Sequence, residues 1–110
     1  MIDWKRVAEL RAEIGAPEFE EVVDLFLEEV DGATARLRTA PIPESYETDL
    51  HFIKGCAVNL GFEALAGLCL TGETVAARGQ AELVDIAAIL DTYDTSRAMF
   101  LDGIAAGLAA

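Results

Sequence analysis

The stretch Phe19 to Leu37, FEEVVDLFLEEVDGATARL, carries apolar residues at Phe19, Val22, Val23, Phe26, Val30, Ala33 and Leu37. Steps of three and four mark one face of an α-helix of about five turns. Its ends are signed for that role. Pro17 suits the first turn, Glu18, Glu20 and Glu21 suit the positive end of the helix dipole, and Arg36 and Arg38 suit the negative end. Pro41-Ile42-Pro43 stops the helix, because proline lacks the amide donor and biases its predecessor away from helical angles. Working outward, a second long helix begins near Glu44 or Ser45, with Tyr46, Leu50, Ile53, Ala57 and Leu60 on its stripe and Gly61 placed for a left-handed cap. A third reads Leu65, Leu68, Cys69, Gly72, Val75 and Ala76 and ends at Arg78-Gly79. A fourth reads Leu83, Ile86, Leu90, Tyr93, Arg97, Phe100 and Ile104. Upstream lies a shorter amphipathic piece from Ile2 to Ile14 with Trp4, Val7, Leu10 and Ile14, closed by Gly15-Ala16-Pro17. No segment alternates with period two. Connections of about two to five residues force neighbouring helices to run antiparallel. The expected fold is all-α: an antiparallel up-down-up-down four-helix bundle over residues 17–108 with a short N-terminal capping helix over 1–15, in a single domain spanning 1–110.

Composition agrees with one globule. A chain of 110 residues with 53% apolar content and three prolines can offset its ordering entropy, but it is too short for two domains. Twenty acids against eight Lys and Arg give a net charge of −12, which phosphate backbones and anionic lipids repel, so nucleic acid and membrane are excluded as partners. No run reaches the ~18 apolar residues of a membrane span, and MIDWKRVAEL lacks the basic-then-apolar order of a signal peptide. A cytoplasmic monomer is expected. Cys56 and Cys69 fall within apolar helical patterns and read as small core residues rather than a disulfide. One histidine and two cysteines are too few for a metal centre or a Ser/His/Asp triad, so no cofactor is expected and any chemistry passes through the one imidazole.

That imidazole, His51, stands about a quarter turn from the stripe of Leu50, Ile53 and Ala57, since each residue advances ~100°. Lys54, Gly55 and Val58 share its face at helical spacing. A glycine within a helix costs ~1 kcal/mol relative to alanine, so Gly55 needs a packing or access reason, and beside an exposed ring it leaves room for a partner. A lysine one turn away can stabilise an incoming phosphoryl group as a point charge. A free imidazole, with its pKa of ~6.5, is mostly neutral at pH 7 and attacks phosphorus without a separate base.

Residues 51–69, HFIKGCAVNLGFEALAGLC, resemble the signature of histidine-containing phosphotransfer (HPt) domains: a histidine, Lys-Gly at +3 and +4, a Leu-Gly turn, then a helix with Ala-Leu and Leu-Cys. VVDLFLEEVDGATARLRTA upstream resembles the family's preceding helix, so the likeness covers roughly residues 17–95. It implies a phosphorelay carrier. His51 would accept a phosphoryl group at Nε2 from the aspartyl phosphate of a response-regulator receiver domain, including that of a hybrid histidine kinase, and pass it reversibly to another receiver. Lys54 would support the phosphoryl oxygens and Gly55 would clear the approach, while Mg²⁺ would sit in the receiver's acidic pocket. Where the family often has a charged residue and a leucine after the Gly turn, this chain has Leu70 and Gly72. Leu70, well off the stripe, is therefore expected with Val58 to contact a docking receiver, and Gly72 to allow close helix approach. Phe52 stands where many sensor-kinase dimerisation domains carry an acid, and no Gly-rich ATP-binding motif occurs, which argues for a carrier without kinase activity.

Other residues have plainer readings. Asn59 is expected to hydrogen-bond the helix end, and Arg97 to snorkel or pair with an acid such as Asp94. The alternative function is an adaptor bundle that binds a receiver or kinase and regulates it without being phosphorylated. A chain running from Met1 through an intact final helix reads as a stand-alone carrier rather than a piece of a chemotaxis-type kinase.

Overall fold

The structure is a computed structural model that describes residues 1–109; Ala110, within the expected single domain, lies outside the described residues. Five α-helices follow one another: α1 (Trp4–Ile14), α2 (Ala16–Thr39), α3 (Tyr46–Leu60), α4 (Glu63–Ala77) and α5 (Ile86–Ala105). Short 3-10 turns at Pro43–Ser45 and Ala81–Leu83 lead into α3 and α5. The described residues form no strand, so the all-α expectation holds.

Local chemistry fixes the boundaries. The Asp3 side chain accepts from the Arg6 amide and Asp85 from the Ala88 amide, each satisfying a donor at a helix N-terminus that would otherwise lack a partner. Gly61 ends α3 in the left-handed conformation, φ 75° and ψ 23°, its amide donating to the Ala57 and Val58 carbonyls. A Cβ there would also lie 2.6 Å from the Asp3 carbonyl oxygen. Space is short because the N-terminal segment lies across this turn: Asp3 N–H donates to Gly61 O at 2.7 Å, and Glu63 N–H to Met1 O at 3.1 Å.

The most extensive interface lies between α3 and α4; α1 packs on α2 and α3, and α5 meets α4 more than α2. Leu50, Ile53 and Leu60 of α3, Leu65 and Cys69 of α4, and Ile89, Tyr93 and Phe100 of α5 are buried together. Phe100 stacks on Trp4 with centroids 5.9 Å apart and meets Phe62 edge-on at 5.2 Å. Both cysteines are free and buried, and burial pushes the Cys69 thiol up to about 12.

Several sequence expectations need correction. The connection between α4 and α5 runs over residues 78–85, longer than expected, because a 3-10 turn holds Leu83, which is 66% exposed rather than on the α5 stripe. The buried face of α5 is Ile89, Tyr93, Ser96, Phe100 and Gly103, with Leu90, Arg97 and Ile104 one residue, about 100°, off its centre. On α4, Cys69 takes the buried place and Leu68 is 36% exposed; on α2, Leu27 is buried and Phe26 only partly so. Arg97 pairs with Asp31 of α2, not Asp94, through two bonds of 3.0 Å from its Nε and Nη2. Asp94 instead accepts from Arg38 at 2.6 Å. The Tyr93 hydroxyl donates to the same Asp31 carboxylate at 2.5 Å, and burial first, then this carboxylate, raises its pKa.

Candidate functional site

Helix α3 carries His51 on its outer flank with the side chain 72% exposed. The ring is nonetheless held. Its Nδ1 lies 2.8 Å from Oε2 of Glu73 on α4, and the Lys54 ammonium donates to the other oxygen, Oε1. Glu73 is the least exposed of the three side chains at 14%, with Lys54 at 25%, so the carboxylate sits in the seam between helices and ties both α3 side chains to α4. The hydrogen bond from Lys54 is the chief cause that holds the Glu73 carboxyl below its ordinary range; desolvation opposes it and the bond from His51 adds to it. An ionised carboxylate accepts and cannot donate, so this bond assigns the His51 proton to Nδ1. In the neutral form of the ring that arrangement leaves the lone pair on Nε2.

The expected site residues fall around this triad. Lys54 is on the expected helix face but turned toward α4, engaged by Glu73 rather than free in solvent. At Gly55 an added Cβ would meet nothing within 4 Å, so no contact among the described residues requires glycine. Val58 and Leu70 are 56% and 53% exposed. Asn59 donates to the Gly55 carbonyl inside α3 at 3.0 Å and accepts from Arg6 of α1 at 3.3 Å, so its side chain ties α3 to α1 instead of capping the helix end as expected.

Glu73 is the residue that sequence reasoning missed. Its signal was the turn at Gly61-Phe62: two helices folded back about residue 62 bring position 51 level with position 73, eleven residues to either side. Among the described residues no group of three or more His, Cys, Asp or Glu is placed to hold a metal ion, and no helix is long and apolar enough to cross a membrane.

The site is thus an exposed imidazole with one ring nitrogen engaged by a carboxylate and the other without a hydrogen-bond partner among the described residues, on a helical scaffold. A family model described as the Hpt domain matches residues 21–104, most of the chain, and the chain belongs to that family. Membership places it among the histidine phosphotransfer domains of two-component phosphorelays, which are phosphocarriers rather than kinases and interact with response-regulator receiver domains. No curated protein and no solved structure matches the chain.

Proposed function

We propose that the chain is a single phosphotransfer domain in which His51 accepts a phosphoryl group from a receiver's aspartyl phosphate and passes it, reversibly, to a second receiver. The observation that carries this reading is the Nδ1 to Glu73 bond on an otherwise exposed ring. In the forward step the Nε2 lone pair attacks phosphorus, the bond from phosphorus to the aspartyl oxygen breaks, and the receiver's carboxylate leaves with that electron pair. The ring keeps its Nδ1 proton and becomes cationic, and the Glu73 carboxylate stands 2.8 Å away to stabilise that charge. In the second step another receiver's carboxylate attacks phosphorus, and the imidazole leaves as the neutral species it was.

Lys54 neutralises Glu73 at rest and lies one turn from His51, within reach of the phosphoryl oxygens once they arrive. Gly55 keeps the approach open, and Val58 and Leu70 offer apolar contact to the docked receiver. Magnesium is left to the receiver's acidic pocket, so that most of the catalytic charge comes from the partner. As the frame for this chemistry we infer an antiparallel up-down-up-down bundle of α2 to α5, capped by α1, acting as a cytoplasmic monomer.

The test is incubation with a panel of phosphorylated receiver domains. Acid-labile, alkali-stable label is expected on the wild type and none on His51→Gln, which should fold normally because exposed substitutions shift stability by about 0.5 kcal/mol or less. Receiver binding that survives in both proteins, with the wild type never labelled, would establish the unphosphorylated adaptor instead.

A further inference from the structure

Gly72 is buried in α4, and a Cβ added there would lie 2.7 Å from Leu50 Cδ1, with Val84 Cγ1 at 3.3 Å and Ile89 Cδ1 at 3.5 Å. Leu50, wholly buried, thus fills with its own methyl the volume that any side chain at position 72 would occupy. Such close approach is not a general property of glycine in these helices. At Gly55 and Gly67 an added Cβ would meet nothing within 4 Å. Glycine weakens a helix relative to alanine, and at position 72 the knob from Leu50 accounts for its use.

The place of this contact in the sequence gives it a second consequence. Leu50 immediately precedes His51, and Gly72 immediately precedes Glu73. This close fit of α3 against α4 therefore sits level with the His51 to Glu73 bond, and the separation of the two backbones there bears on whether one carboxylate reaches both His51 Nδ1 and Lys54 Nζ. Hydrogen bonds weaken steeply with length and angle, so a shift of an ångström at this level breaks the bond.

We propose that Leu50 and Gly72 form a knob-and-hole positioning pair that sets the α3 to α4 separation at the site, and through it the tautomer and orientation of the His51 ring. Neither residue touches the reacting atoms. The importance of the pair for transfer rests on the function proposed above, but its effect on the ring does not.

The experiment is an exchange of volume across the interface: Gly72→Leu, Leu50→Ala, and both together. The double variant returns nearly the original volume with the knob on the other helix, the kind of swap that cores tolerate best. The readouts are the ¹⁵N shifts of the two His51 ring nitrogens, thermal unfolding, and the rate of receiver-to-His51 transfer. Gly72→Leu is expected to move the ring nitrogens from the Nδ1–H pattern toward the tautomer mixture of a free imidazole and to slow transfer about 10-fold or more. The double variant is expected to recover the wild-type shifts and a rate within about 2-fold of wild type.

Wild-type nitrogen shifts in Gly72→Leu would overturn the proposal, as would a folded double variant that keeps the shifts of a free ring. If Gly72→Leu does not fold, Gly72→Ala and the double variant decide by the same shifts. If receivers never label the wild type, the function proposed above fails, while the nitrogen shifts still decide this pair.

Discussion

Replacing Glu73 with alanine is expected to slow the loading of His51 about 100-fold, equivalent to about 2.7 kcal/mol of barrier, with the helical fold retained. Three losses combine in that figure. The ring loses the acceptor that keeps its proton on Nδ1, so the free-imidazole preference for a proton on Nε2 returns and occupies the attacking nitrogen. It also loses the bond of 2.8 Å that fixes its rotation on a side chain 72% exposed, and near-attack geometry becomes one of many orientations. Finally, the cation formed on attack loses its facing carboxylate. Lys54, freed from Glu73, regains strength as a phosphate ligand and offsets a small part of this. Glu73→Gln, whose amide oxygen still accepts from Nδ1, is expected to fall between alanine and wild type. Single-turnover transfer from a phosphorylated receiver measures the effect, and a Glu73→Ala rate within 2-fold of wild type would sink the role assigned to the carboxylate.

The largest effect on stability is expected at Gly103. A Cβ there would overlap the Trp4 ring at Cζ2 and Cη2, and Trp4 in turn stacks on Phe100 in the core. Gly103→Leu forces Trp4 off that stack and with it the docking of α1. Overpacking and loss of the aromatic contact together are expected to cost about 3 kcal/mol. For a domain of this length that lowers the melting temperature by about 10–20 °C. Trp4 is the chain's one tryptophan, so its emission reports the displacement directly. An unchanged emission maximum with a melting temperature within about 2 °C of wild type would show that α1 contributes little.

Local chemistry made much of the fold legible. Pro17, Pro41 and Pro43 mark helix limits that no tertiary contact needs to explain, and Gly61 takes the left-handed cap its position after Leu60 predicts. His51, Lys54, Gly55 and Val58 were readable as one face because helical spacing alone puts them there. What depended on a second helix was less visible. Glu73 joins the site only through the packing of α4 on α3, and its neighbours in sequence carry no hint of an imidazole. Arg97 finds Asp31 across 66 residues, whereas sequence proximity favoured Asp94. The register of α5 was misjudged because Leu83, Ile86 and Leu90 form a plausible apolar run, while the buried face includes small residues, Ser96 and Gly103, that hydrophobic periodicity does not count. The glycines show the same divide. Gly61 is explained by its own backbone angles, and Gly72 only by the Leu50 methyl that faces it.

The role of Glu73 is tested most directly by which ring nitrogen of His51 carries the phosphoryl group. Loading the protein from a phosphorylated receiver and recording ³¹P and ¹⁵N spectra of His51 decides it. With Nδ1 engaged by Glu73, the phosphoryl group is predicted on Nε2 alone, with the Nδ1 proton retained. Phosphorus bonded to Nδ1 would contradict the assignment of nucleophile and carboxylate.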